Sequence, residues 1–173
     1  MSESESLWNW MLEVYPRPGV SDALIALQDR EGLNVNALLF VIWLACRNSR
    51  LTRDGADEIE RLNGEWASTI VAPVRTVRRL LKSSTLIAED KKSDIRKRIQ
   101  AIELELEEMH CALLEERAAP DRADEETEPE ARSELASDNL RQYFASLGRS
   151  GRDQQRIIDG GDWQKILKAV TAD

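Results

Sequence analysis

The marked apolar stripes in this chain have the period of a helix. Leu7, Trp8, Met11, Leu12 and Tyr15 recur at helical intervals, the spacing of one helix face. Pro16 and the Pro18-Gly19 pair end that stretch, because proline lacks the N–H a helix interior needs. A second helix is predicted from Val20 or Ser21, with Ala23, Leu24 and Leu27 inward and Gly32 placed as its terminating glycine. Asn34 then fits an N-cap. The run from Ala37 to Cys46 is apolar on every side, and a helix apolar all round is buried all round. It is the predicted central helix. Phe40, Val41 and Ile42 are also good strand formers, but the length of the run and its Asn cap favour a helix.

From Asp54 to Lys82 the positions Ile59, Leu62, Trp66, Ile70, Val74, Val77 and Leu81 form one stripe. A bend or a fresh helix start is predicted near Pro73. A polar turn at Ser83-Ser84-Thr85 leads into a long helix over about Asp90 to Arg117. There Ile95, Ile99, Ile102, Leu106, Met109 and Leu113 step 4-3-4-3-4, a heptad seam. Two such stripes joined by a short turn predict an antiparallel helical hairpin. The alternative is that the seam of the second helix mates with another chain, as a homodimer through those six residues. Leu104 and Leu114 lie off the seam, so one neighbour would not cover all the apolar surface.

Residues 118–134 break the pattern. They hold Pro120, Pro129 and seven acids against two arginines, a composition that predicts an acidic flexible linker. Beyond it, Leu135, Leu140, Tyr143, Phe144 and Leu147 suggest a helix. Gly148 and Gly151 close it, and a last helix carries Trp163, Ile166, Leu167 and Val170. The predicted organisation is a helical domain over 1–117, the linker, and a short C-terminal helical element over 135–173. The fold class is all-α: a helical bundle around a buried central helix, with a long helical hairpin.

Composition narrows the chemistry. The net charge of −8 opposes general nucleic-acid binding, since polyanions require a positive field. Cys46 and Cys111 sit apart in apolar helical patterns and read as buried thiols rather than a disulfide. The first six residues are polar and acidic, unlike a secretory signal, and the longest apolar run is about half a membrane span. A cytoplasmic protein with no membrane partner is expected. His110 is the only histidine and has no second ligand at metal-site spacing beyond acids on its own helix. No phosphate-cradling glycine loop and no nucleophile motif is present. No catalytic residue, metal or cofactor is assigned, and a non-enzymatic role is favoured.

One region departs from the overall charge. Between Arg75 and Arg98 stand nine cations and three anions, a local charge of +6. Such a field favours oriented encounter with an acidic partner. Arg75, Arg78, Arg79, Lys82, Lys91, Lys92 and Arg96 are the candidate contacts, with Trp163 as a further anchor beyond the linker. The plainer alternative is that these cations solubilise the hairpin and pair with Glu103 and Glu107. RNA or the ribosome is the weaker partner, because no aromatics are interleaved with the cations. Trp8, Trp43 and Trp66 are placed in the core, and Trp10 on the other, more exposed side of its helix.

The ordered set Leu7-Trp8, Tyr15, Pro18-Gly19-Val20, Leu27-Gln28-Asp29, Gly32, Leu38-Leu39, Trp43-Leu44, Trp66, Pro73-Val74-Arg75 and Arg78-Arg79-Leu80-Leu81-Lys82 resembles a family of small proteobacterial proteins that form a domain of unknown function. The resemblance spans roughly residues 5–116. It implies a bacterial cytoplasmic setting, makes the basic hairpin part of a shared design, and implies no catalytic residue. Members leave the central helix through a glycine, where this chain has Arg47-Asn48; asparagine tolerates the left-handed conformation such a turn needs. The expected function is that of an interaction or adaptor protein docking through the basic hairpin. The alternatives are a small-molecule binder or enzyme with a Trp-lined interhelical pocket, and a ribosome- or RNA-associated factor.

Overall fold

The computed structural model describes residues 6–118, 120–122 and 129–171. Its centre is helix α3 (Val35–Cys46), in which every side chain from Ala37 to Ala45 is buried. The Asn34 side chain caps it, accepting from the Ala37 N–H at 3.1 Å. The chain leaves α3 through Asn48 at φ +53°, so the turn survives without a glycine. Around α3 pack α1 (Leu7–Val14), α2 (Val20–Glu31), α6 (Glu89–Arg117) and, most extensively, α7 (Pro129–Ser146).

α1 and α2 start and stop at the residues the pattern indicates. Ser6 caps α1 through the Asn9 N–H, and Gly32 ends α2 at φ +69°. The face α1 buries is not the expected one. Leu7, Trp10, Met11 and Val14 point inward, while Leu12 and Tyr15 are exposed and Trp8 is half-buried. Trp8 and Trp10 thus exchange the places expected of them. α1 is apolar around most of its circumference, so periodicity alone leaves its inward face undetermined.

The helical path from α4 (Arg53–Leu62) to α5 (Ala72–Ser83) is unbroken, but it widens to π register over Asn63–Val71. The irregularity falls before Pro73 rather than at it. A proline ring crowds the carbonyl four residues back and supplies no N–H. A wider turn upstream, in which the Ala72 N–H reaches the Ala67 carbonyl, accommodates both demands. α5 and α6 then form the antiparallel hairpin.

Two short strands, β1 (Ser49–Leu51) and β2 (Pro120–Arg122), pair antiparallel, with Ser49 opposite Arg122. At three residues each they are too short to show an alternating pattern. The fold remains all-helical apart from this ladder.

The C-terminal region is not a separate element. Residues from Leu7 to Val170 share one hydrophobic core, in which Leu140, Phe144, Trp163 and Ile166 have no exposed surface. α7 begins at Pro129, so the last residues of the expected linker are helical; of the rest, 119 and 123–128 lie outside the described residues. The physical reason is the burial of α3. Once α7 covers one of its faces, α8 (Gly151–Ile158) and α9 (Gly161–Val170) fold back against α7 and α2.

Polar contacts fix this docking. The Asn139 side chain on α7 is buried; it donates to the Val41 and Ser49 carbonyls, both at 3.1 Å, and accepts from the Leu51 N–H at 2.8 Å. At the end of α2, Glu31 accepts two bonds from Arg156, each 2.9 Å, and one from Arg30. These guanidinium groups, Arg156 foremost and then Arg30, hold the Glu31 carboxyl at about 2, below its usual range. Gly19, at φ +80°, lets the start of α2 approach α9, since a Cβ there would meet Lys165 Cδ at 2.9 Å.

Asn139→Ala strands the Ser49 carbonyl and the Leu51 N–H in the interior. It is expected to cost about 2–4 kcal/mol, read as a lowered midpoint in urea unfolding with an unchanged slope. An unchanged midpoint would show that the clamp carries no stability.

Candidate functional site

Charge as well as apolar packing joins the two hairpin helices. Glu103 on α6 has a nearly buried side chain and accepts from Arg78 Nε at 2.6 Å and Nη2 at 3.0 Å. Arg75 pairs with Glu107 and approaches Glu103 at 4.0 Å. Lys92 is buried, ties back the turn by donating to the Ser84 carbonyl at 2.9 Å, and pairs with Glu89. Trp66 is half-buried rather than in the core and donates its indole N–H to the Leu106 carbonyl at 2.9 Å.

This divides the expected contact residues. Arg75, Arg78 and Lys92 are engaged inside the hairpin, Arg96 is half-buried, and Trp163 is fully enclosed with its indole donating to Ser137 Oγ at 3.2 Å. Trp163 is therefore part of the core and not a partner anchor. The reason is again α3, whose covering helices need a large side chain between α7 and α9. Arg79, Lys82 and Lys91 of the expected set are exposed, together with Lys97 and Arg98. Among the described residues none of these five has an ion-pair partner.

Between the hairpin and the α1–α2 corner lies a cleft of about 680 Å³. One wall is apolar, made by Trp8, Leu12, Tyr15 and Ile25. The opposite wall carries Arg75, Arg78, Arg79, Gln100, Glu103, Leu104 and Glu107. Leu12, Tyr15, Ile25 and Leu104 are large apolar side chains left exposed, at 37–56%. An open cleft with an apolar wall and a charged wall fits a ligand that is itself amphipathic. No paired carboxylate in it has the isolation that acid–base catalysis requires, because Glu103 and Glu107 are both held by arginines. Sequence reasoning missed this cleft because it placed Trp8, Leu12 and Tyr15 inward. The surplus of apolar positions on α1 was the available signal.

Deeper in, His110 lines a gap of about 30 Å³, room for one water-sized molecule. Its Nδ1 lies 3.3 Å from the Asn36 amide nitrogen. The amide can only donate, so Nδ1 accepts and Nε2 carries the proton; Nε2 has no protein partner. Burial pushes the His110 pKa down to about 4. His110 is thus a neutral interior residue. Among the described residues no three His, Cys, Asp or Glu side chains gather as a metal site. Cys111 is buried 3.5 Å from Met11 Sδ, Cys46 is half-buried, and both are free thiols. Burial raises Cys46 to about 11 and Cys111 to about 12. At these values neither is a thiolate nucleophile at neutral pH.

The comparisons with known proteins bear on the hairpin and the cleft together. Residues 6–114 match the model of a family described as protein of unknown function, DUF2390. The chain belongs to that family. No curated protein and no solved structure matches it. The matched span contains both walls of the cleft and every cation of the hairpin from Arg75 to Arg98, but stops within the last turn of α6, before α7. Among the described residues no helix is long and apolar enough to cross a membrane.

Two outcomes follow. A fragment ending at residue 118 leaves the α7-facing side of α3 in water and is expected to aggregate rather than give a cooperative unfolding transition. A monomeric, cooperatively folding fragment would overturn this. Because the folded pKa of His110 lies below its unfolded value of 6.5, stability should fall as pH drops from about 6.5 towards 4. In His110→Gln that component of the acid slope should vanish, measured by urea unfolding at successive pH values.

Proposed function

We propose that this member of the DUF2390 family is a non-enzymatic adaptor that holds an acidic, amphipathic segment of a partner protein in the cleft between the hairpin and the α1–α2 corner. The reading rests on the coincidence of unpaired cations with an exposed apolar wall. Arg79 lines the cleft and has no acid of its own among the described residues, while Trp8, Leu12, Tyr15 and Ile25 offer a surface that water solvates poorly. Lys82 and Lys97 extend the positive field along the hairpin beyond the cleft. A helix or strand with apolar residues on one side and acids on the other satisfies both walls, and the field raises its encounter rate.

Arg75 and Arg78 set the register of the charged wall instead of reaching for the partner, because Glu107 and Glu103 hold them. Free buried thiols suit a reducing compartment, so the cytoplasm is the proposed site of action. A protein partner is favoured over RNA because the aromatics of the cleft stand opposite the cations, whereas single-strand readers interleave the two.

The test places a photocrosslinking side chain at Leu12 or Ile25 in the full-length protein and captures partners from cell extract with and without nuclease. The same nuclease-resistant protein should be captured from both positions. Arg79→Glu with Lys82→Glu should weaken its binding about tenfold or more, with the circular dichroism spectrum unchanged. Capture lost on nuclease treatment, or unaffected by the charge reversal, would overturn the proposal.

A further inference from the structure

The second apolar surface of the hairpin lies on the side away from the cleft. On α6 the seam expected at Ile95, Ile99, Ile102, Leu106, Met109 and Leu113 is split. Ile99, Leu106 and Leu113 are half-buried, whereas Ile95, Ile102 and Met109 are 39%, 48% and 55% exposed. The face α6 turns inward carries Lys92, Glu103, His110 and Leu114. At 100° per residue that face lies about 80° round the helix from the apolar seam. On the π-register segment and α5 the same displacement leaves Ile70 and Val77 exposed, at 37% and 50%. Arg79, Gln100 and Leu104, on the opposite side of the two helices, line the cleft. Counted from the mutual contact of an antiparallel pair, the exposed residues of α5 and α6 turn to one common side.

The charges beside this face run in order. Lys91 and Arg98 flank the seam in its first half, and Glu105 and Glu116 flank it in the second. With Ile95, Ile102, Met109 and the small Ala112 they occupy successive positions of one heptad flank. A stripe that is basic at one end, acidic at the other and apolar between is complementary to itself when turned end for end.

The geometry points to a second copy of this chain as the occupant: two hairpins pack antiparallel through this outer face, with the two-fold axis at Ile102, as a four-helix bundle. Ile102 meets its own counterpart, and Ile95 of each copy meets Met109 of the other. With a rise of 1.5 Å per residue, Arg98 stands within about 1.5 Å, measured along the axis, of Glu105 of the second copy, and Lys91 within about 4.5 Å of Glu116. A parallel arrangement would set Lys91 and Arg98 against themselves and Glu105 against itself. Like charges so placed repel, which selects the antiparallel pair. The cleft opens on the other side, so the dimer presents two clefts, and its formation does not depend on what they hold.

Sedimentation velocity on the full-length protein should show a dimer at about 100 μM, a concentration that populates even micromolar-affinity pairs. Ile102→Glu, an exposed substitution, should give a monomer with an unchanged circular dichroism spectrum. Arg98→Glu should weaken association about tenfold, and adding Glu105→Arg should restore it. Under mild oxidation Ile102→Cys should form a cross-linked dimer, with wild type as the control. Ile95→Cys should not cross-link alone, since its counterpart would be about 21 Å away along the axis. A mixture of Ile95→Cys and Met109→Cys molecules should cross-link. A wild-type monomer at about 100 μM, a dimer indifferent to Ile102→Glu, or self-cross-linking of Ile95→Cys as fast as that of Ile102→Cys would each overturn the proposal.

Discussion

A helix with no polar face cannot stand at a protein surface, and α3 has none. Its nine central residues are all buried. Fully burying each large one is worth about 1.5–3 kcal/mol, so the elements around it are recruited by that gain. α1, α2, α6 and α7 each supply a wall. α8 and α9 brace α7 and α2 in turn. Asn139 seals the polar seam where α7 crosses the exit of α3, since the backbone groups there would otherwise be buried without partners.

The same constraint explains why the hairpin is a different kind of structure. With α3 already enclosed by other elements, α5 contributes no fully buried side chain. The hairpin contact centres on Glu103 between Arg75 and Arg78. Such a pair is dehydrated at a cost that nearly cancels its attraction, so it contributes more to register than to stability. Using a charged face of α6 for this contact leaves apolar side chains on the other faces. Both the cleft and the outer stripe follow from that one rotation.

Charge in this molecule is sorted by neighbourhood more than by sequence. Arg75 and Arg79 are four residues apart on one helix, yet Glu107 binds the first and, among the described residues, the second has no acid beside it. Glu31 gathers its sequence neighbour Arg30 and, from 125 residues along the chain, Arg156. These pairings give α2 and α8 a fixed relation while leaving the positive field of the hairpin turned outward.

Helix positions, the Asn34 and Gly32 caps, the hairpin and the burial of α3 were legible in the sequence, because each depends on local periodicity or on backbone preferences of single residues. The basic character of residues 75–98 was legible for the same reason. Tertiary structure alone decided which face of α1 and of α6 turns inward, since both helices have more apolar positions than one neighbour can cover. It also decided that Trp163 belongs to the core. Whether a tryptophan is an anchor or a filler depends on what packs across from it, and Ser137 on α7 lies 26 residues away in the chain. The cleft has the same origin: its walls come from α1, α2, α5 and α6, and no local pattern encodes the space between elements that meet only after α3 has been enclosed.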